Sequence, residues 1–298
     1  MDPYGIGARV ADLGDAPNLV KAGADPGNNQ AIGEDGARGA SILLTGVAAL
    51  TLFFVPQLMQ LFPVLGGLQV AKLTALLVVI YLLSSRRLLD QRVRLRNAPQ
   101  VGLLIGILGL ALITVPTSIW PSHSIGYIVD AFGKNVLFVY LVLQAVRTDR
   151  GARVIGAMLV AGSSLMSLAV VAHLGPLVTY KNDPGRLAVG ASYDPNDMAL
   201  LLVITIPFAF FMIGSCRLAS KALLVAAIGL MLAGLALTES RGGFLGLCAI
   251  GVLMFLIGSR QARRVTLLAG GVSVLVFTFA APRSFWDRIS TIYNYEGD

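Results

Sequence analysis

Two polar clusters, separated by two apolar segments, contain the residue types in this sequence that suit anion chemistry. The first cluster holds Arg186 and the run Asp194-Pro195-Asn196, and the second is Ser240-Arg241-Gly242-Gly243. If both apolar segments cross a bilayer, both clusters emerge at the same membrane face. A guanidinium group matches the geometry of a phosphate group, so two arginines at one face predict a site for a phosphate-bearing ligand.

Each cluster also has a purely structural interpretation. Asp194 is a good helix N-cap and Pro195 suits the first helical position, which would by itself explain the run from Asp194 to Asp197. Arg241 stands in a short turn and would then be a solvated interfacial side chain. In the functional interpretation, the free N–H groups of a helix N-terminus and the Arg186 guanidinium grip a phosphate together.

Three further charged residues, Lys72, Asp130 and Lys134, fall inside apolar segments. Asp130 and Lys134 are four positions apart and therefore share one helix face. Charges at such depth usually face the interior of a helix bundle. They are interpreted either as a structural pair that locks helices together or as part of a polar cavity or ion path, which Lys72 could also reach.

The composition places these residues in an all-α, polytopic helical membrane protein. Of the 298 residues, 56% are hydrophobic and only 13% are charged, far fewer than in soluble domains. The apolar runs approach the length of about 20 residues that spans hydrocarbon. We predict nine transmembrane helices, at approximately 41–56, 64–83, 101–116, 125–145, 154–172, 197–214, 221–238, 242–258 and 264–281.

The lysines and arginines indicate orientation rather than nucleic-acid binding, although the net charge is +7. They concentrate in alternate loops, which predicts a cytoplasmic N-terminus. Five cations oppose this bias by facing outward: Lys181, Arg186, Arg241, Arg283 and Arg288. We predict a disordered cytoplasmic tail at 1–40, a transmembrane domain at 41–281 and the start of a loop on the outer face at 282–298.

The order of these motifs resembles the O-antigen ligase/O-antigen polymerase superfamily of bacterial envelope polysaccharide glycosyltransferases. The resemblance rests on Arg186, Gly190 and Asp194-Pro195-Asn196, then two spans, then the run from Thr238 to Gly243. The segment from Asp287 to Asp298 is similar to the start of that family's large periplasmic loop. The resemblance covers roughly residues 40–298 and implies a lipid-sugar-dependent, GT-C-like architecture.

The resemblance implies transfer of a glycan from an undecaprenyl-diphosphate-linked donor on the periplasmic face of the bacterial inner (plasma) membrane. The acceptor would be another glycan or lipid A–core, and neither a metal nor another cofactor would take part. By match to the family's motifs, the diphosphate-binding residues would be Arg186, Arg241, Asp194, Asn196 and Arg288. The family's catalytic histidine has no counterpart before residue 298, so the resemblance implies a C-terminally truncated chain.

Other functions remain open at this level. The charged residues inside the spans also suit a small-anion transporter of the same superfamily. A chain without the catalytic histidine would be an inactive remnant or a non-catalytic membrane partner. His123 and His173 are predicted at the outer surface, where each is either a candidate general base or incidental. No cluster of histidine and cysteine residues in the sequence predicts a metal site.

Overall fold

A computed structural model of the chain describes residues 26–55, 69–85, 99–174, 177–180, 183–189, 194–214, 216–258 and 260–290. These ranges form ten helices and one β-hairpin. In chain order they are α1 (Pro26–Phe54), α2 (Val70–Ser84), α3 (Pro99–Thr114), α4 (Pro121–Ala145), α5 (Asp149–Val171), β1 (Leu177–Tyr180), β2 (Asp183–Val189), α6 (Pro195–Ile213), α7 (Leu218–Leu237), α8 (Arg241–Ile257), α9 (Arg260–Ala280) and α10 (Arg283–Ser290).

The predicted fold class is confirmed in outline, because the described chain is helical apart from the hairpin. Five helices, α3 (with the 3₁₀ turn Val115–Thr117 that extends it), α4, α5, α6 and α7, are long and apolar enough to cross a membrane. The apolar parts of α1, α2, α8 and α9 are shorter. Each of the nine predicted spans overlaps one of these helices, whereas the number of membrane crossings and their orientation stay predictions.

The ends of the helical region differ from the predicted boundaries. Helix α1 begins at Pro26, so residues 26–40 are helical where the sequence suggested a tail. Pro26 is a signal for a helix start, because proline is favoured at the first helical position. The signal was outweighed in the prediction because the segment around it is polar and has no apolar periodicity. The segment 282–298, predicted as the start of a loop, contains α10. Residues 1–25 and 291–298 lie outside the described part of the chain.

The hairpin was not predicted from the sequence. Its strands pair antiparallel, with Leu177 opposite Val189 and Thr179 opposite Leu187. The register shifts between Thr179 and Tyr180, so that Tyr180 pairs with Asp183. The hairpin follows α5 and precedes α6, so it lies at the end of the bundle where α6 begins, and β2 carries Arg186.

The main core forms where α5, α6 and α7 pack together, and α8 and α9 pack against this group. Close approach depends on small residues. A Cβ added at Gly234 of α7 would lie 2.7 Å from the hydroxyl oxygen of Ser167 on α5. The hydroxyl of Ser163 donates to Thr205 Oγ1 on α6 at 3.1 Å, which joins two apolar helices through buried polar side chains.

A second core cluster is formed by α1, α2, α4 and α5. Helix α3 and the N-terminal part of α4 lie at its margin and are poorly covered. Only 11% of the most apolar stretch of α3 and its 3₁₀ extension is buried inside the described chain, and only 6% of that of α4, against 50% for α5. Residues Ile128–Gly133 of α4 form a π-helical turn.

Candidate functional site

The start of α6 is fixed by Asp194. This residue has an extended backbone, and its carboxylate accepts hydrogen bonds from the backbone N–H of Asn196 at 2.7 Å and of Asp197 at 2.8 Å. Pro195 occupies the first helical turn. The N-cap interpretation therefore describes what Asp194 does locally, and its capping holds Asn196 at the helix end.

The start of α8 is fixed in the same way by Ser240. Its hydroxyl oxygen accepts a hydrogen bond from the backbone N–H of Gly243 at 3.1 Å. Gly243 is needed for packing as well, because a Cβ there would lie 2.6 Å from the Cβ of Ala199 on α6. The N-termini of α6 and α8 are thereby held beside each other.

Arg186 joins the hairpin to the start of α6 and to the end of α7. Its Nε donates to the carbonyl oxygen of Thr238 at 3.2 Å, and its Nη2 donates to Asn196 Oδ1 at 2.8 Å. The Ser240 hydroxyl donates to the same Asn196 oxygen at 2.9 Å. We call Arg186, Asn196, Thr238 and Ser240 the polar cluster.

The positive charge of the polar cluster comes from Arg186. The first N–H groups of α6 are bonded to the Asp194 carboxylate, and the Gly243 N–H of α8 is bonded to the Ser240 hydroxyl, so both helix N-termini are already capped. The guanidinium of Arg186 carries a full positive charge that is half-buried and held by two hydrogen bonds. Asn196 is exposed, so solvent reaches one side of the cluster.

Glu239, between Thr238 and Ser240, stands in the run on which the resemblance rests, but the sequence reasoning gave it no role. Its side chain is 1% exposed, and its backbone φ of 50° lies in the left-handed region that few non-glycine residues adopt. The carboxylate Oε1 accepts a short hydrogen bond from the Ser284 hydroxyl at the start of α10. An acidic residue directly after an apolar helix was a visible signal, but nothing in the sequence indicated that it is buried.

Arg241 and Arg288, which were also predicted to bind the diphosphate, stand outside the polar cluster. Arg241 is the first residue of α8, adjacent to Ser240, and its side chain is exposed. Arg288 lies in α10, the helix that Ser284 attaches to Glu239, but its side chain lies outside the described part of the chain. The structure therefore brings Arg186 and Asn196 into direct contact, with Asp194 and Arg241 each within two residues of a cluster member.

The charged residues inside the apolar helices lie apart from this site. Lys134 Nζ is 2.7 Å from Asp130 Oδ1, and the two side chains are 48% and 78% exposed. Lys72 on α2 is also exposed and is close enough to Asp130 to act on it electrostatically. The pair thus faces outward from the described bundle rather than into its interior.

Both histidines are exposed. His173 follows α5 with a left-handed φ of 51°. His123, near the start of α4, lines a cleft of about 450 Å³ between α3 and α4.

An apolar groove of about 650 Å³ runs among α6, α7, α8 and α9. Phe244 and Trp286 are among its lining residues, and the ring of Phe244 packs edge-on to those of Phe277 and Phe285. Phe244 follows Gly243, whose N–H donates to the N-cap residue Ser240. Trp286 is two residues beyond Ser284, which is hydrogen-bonded to Glu239. The groove therefore begins within about one helical turn of the polar cluster.

Fold and site together define a helical membrane protein that carries a polar cluster at one end of its bundle. Among the described residues, no three or more His, Cys, Asp or Glu side chains are grouped so that they could hold a metal ion. Comparison of the chain with models of protein families, with curated proteins and with solved structures returns no match.

Proposed function

We propose that the protein is a glycosyltransferase of the O-antigen ligase/polymerase type. In this proposal it takes a glycan from an undecaprenyl-diphosphate-linked donor at the periplasmic face of the bacterial inner membrane. The glycan passes to an acceptor glycan or to lipid A–core. The chain would cross the membrane nine times in a GT-C-like architecture, with its N-terminus in the cytoplasm.

The observation that supports this proposal best is the position of the polar cluster beside the apolar groove. A lipid-linked diphosphate has an anionic head and a long apolar tail. Arg186, with the exposed Arg241 at the start of α8, offers positive charge for the head. The groove lined by Phe244 and Trp286 offers an apolar surface for the first part of the tail.

The chemistry explains why fixed positive charge would matter. The acceptor hydroxyl oxygen forms a new bond to the anomeric carbon of the glycan while the bond from that carbon to the diphosphate oxygen breaks. The diphosphate leaves with the bonding electron pair, so negative charge grows on it in the transition state. Hydrogen-bond donors and cations that are held in place before the reaction stabilise that charge without reorganising.

The proposed roles follow from the contacts. Arg186 binds the diphosphate, and Asn196 orients the Arg186 guanidinium through the 2.8 Å hydrogen bond. Asp194 holds the helix end on which Asn196 stands. Arg241 adds a second, exposed cation beside Ser240. Arg288 is assigned to the diphosphate by resemblance alone, and a general base takes the proton of the acceptor hydroxyl.

The transporter alternative receives less support. It depends on Lys72, Asp130 and Lys134 lining a passage through the bundle. In the described part of the chain, Asp130 and Lys134 face outward and their ion pair lies on the surface of α4. The arrangement of these residues therefore favours a surface role over an ion path.

Binding of undecaprenyl diphosphate to the protein in lipid nanodiscs tests the proposal independently of turnover. We expect Arg186→Ala to weaken binding at least about tenfold, because one charge-assisted contact is lost. Arg186→Lys should lie between wild type and Arg186→Ala, because a lysine cannot reproduce the forked contacts. Arg260→Ala is the control, since Arg260 is an exposed cation at the opposite end of α8 and α9.

Two results would contradict the proposal. One is that the wild-type protein does not bind undecaprenyl diphosphate. The other is that Arg186→Ala and Arg260→Ala bind it as the wild type does.

A further inference from the structure

The ion pair on α4 stands at an unusual place for charged side chains. Asp130 and Lys134 lie roughly 14 Å and 20 Å along a helix that is about 36 Å long. Their side chains are nevertheless 78% and 48% exposed in the described structure. Ionisable residues near the middle of a membrane-spanning helix face protein or water, because hydrocarbon solvates them poorly.

The helix beside this pair carries an open glycine face. Gly102, Gly106 and Gly109 follow one another at helical spacing on α3, which packs against the π-helical turn of α4. A Cβ added at any of the three would meet nothing within 4 Å. Small residues four positions apart allow another helix to approach closely in a membrane.

We propose that α3 and α4 form an interface with a second copy of this chain. In this interface, Asp130 and Lys134 of one copy pair with Lys134 and Asp130 of the other. The two ion pairs would close into a network of four charges that is removed from hydrocarbon. The glycine face of α3 would allow the two copies to come close enough for the network to form.

Charge complementarity favours a second copy as the occupant. Two copies in one membrane share their orientation, so the symmetry axis between them runs along the membrane normal. Asp130 and Lys134 differ by about 6 Å along the helix. The flexible four-carbon stem of lysine spans that offset, so each Lys134 reaches the Asp130 of the other copy. Lys72 of α2 is a second exposed cation near Asp130, so each copy offers one carboxylate and two ammonium groups to the other. Because the same patch carries both signs of charge, it can pair with itself, as a twofold interface requires.

Co-purification tests the proposal. Two copies of the full chain that carry different affinity tags are expressed in one membrane and purified through one of the tags. Wild-type copies should co-purify. Asp130→Lys leaves only cations in the patch, and Lys134→Asp places two anions beside Lys72. Each variant should lose pairing with itself at least about tenfold, because like charges would meet across the interface. Asp130→Lys and Lys134→Asp expressed together should pair again within about twofold of wild type.

The matched control is Asp149→Lys, which reverses an exposed charge at the start of α5, outside the interface, and should pair as wild type does. A cross-link that needs no charge change covers the case in which a variant fails to fold. Gly106→Cys, combined with Cys216→Ser and Cys248→Ser, should form a disulfide between copies upon mild oxidation.

Three results would overturn the proposal. The first is that the wild-type chain purifies as a monomer and that the Gly106→Cys variant forms no disulfide between copies. The second is pairing of the well-folded charge variants with themselves as in the wild type. The third is that a different protein, rather than a second copy of this chain, is bound at the α3–α4 face of the wild type.

Discussion

Replacing Asn196 with aspartate separates the binding role of the polar cluster from its structural role. Asn196 Oδ1 accepts from Arg186 at 2.8 Å and from Ser240 at 2.9 Å, and an aspartate keeps the oxygen that accepts both. The substitution adds one negative charge against the Arg186 guanidinium. We expect an anionic ligand to bind more weakly, while the protein stays folded.

The size of the effect on binding follows from Coulomb's law. For roughly 6 Å between the new carboxylate and a ligand charge, the repulsion is about 0.7 kcal/mol per unit charge in water and about 2.8 kcal/mol at an effective dielectric constant of about 20. These values correspond to affinity losses of about 3-fold and about 100-fold. The loss should shrink as salt is added, because salt screens exposed charges.

The free energy of unfolding should change much less. The new pair with Arg186 contributes about 0.2–1 kcal/mol, and a negative charge at a helix N-terminus about 0.3–1 kcal/mol. Repulsion from Asp194 and Asp197 opposes both gains. We expect the apparent melting temperature of Asn196→Asp in detergent to stay close to that of the wild type.

The assay is undecaprenyl diphosphate binding in nanodiscs at low and high salt, together with thermal unfolding. Ser220→Asp is the control, since it adds an acidic residue at an exposed position near the start of α7, at the opposite end of the bundle. Equal affinity of Asn196→Asp and wild type at low salt, with both proteins folded, would refute the assignment of Arg186 as the anion-binding group.

Two further predictions concern stability and use thermal unfolding in detergent. Gly243→Ala should destabilise the protein by about 1–3 kcal/mol, because its Cβ would lie 2.6 Å from an alanine on α6, whereas Gly251→Ala meets nothing within 4 Å and should be close to neutral. Equal melting temperatures for the two would contradict this packing. Ser284→Ala should cost about 1–3 kcal/mol, because the buried Glu239 carboxylate loses a hydrogen bond, whereas Ser290→Ala, at an exposed residue of the same helix, should cost little. A Ser284→Ala protein as stable as wild type would show that α10 is held by other contacts.

The helices and caps were the predictable part of this structure. Apolar runs of near membrane-spanning length leave few alternatives to a helix, so every predicted segment overlaps one. The caps were predictable as well, because Asp194 and Ser240 are residue types whose side chains bond to the first backbone N–H groups. Antiparallel helices joined by short connections then place both caps at the same end.

The hairpin and the burial of Glu239 could not be predicted in the same way. Strand β1 is only four residues long, too short for a periodic signal, and β2 contains a proline and a glycine that usually indicate a turn. Glu239 is buried because α10 returns to the end of α7 and supplies Ser284. Both features depend on contacts between segments that are distant in sequence, which local patterns do not encode.

The outward position of the Asp130–Lys134 pair shows a similar limit. Their spacing predicts that the two side chains share a helix face, and the ion pair is consistent with this. Which face of α4 points into the bundle depends on how α1 and α3 pack beside it. The hydropathy of α4 carries little information on this point, because apolar residues surround the charges on every side.

The position of Trp286 gives the protein an intrinsic optical reporter. The chain has two tryptophans, and Trp120, in the turn between α3 and α4, is 72% exposed. Trp286 lines the apolar groove and packs edge-on to Phe285, with ring centroids 5.2 Å apart. Water that is displaced from the groove by an alkyl chain leaves the indole of Trp286 in a less polar surrounding, which shifts its emission to shorter wavelength. A Trp120→Phe protein therefore reports groove occupancy by fluorescence, without a label and without turnover.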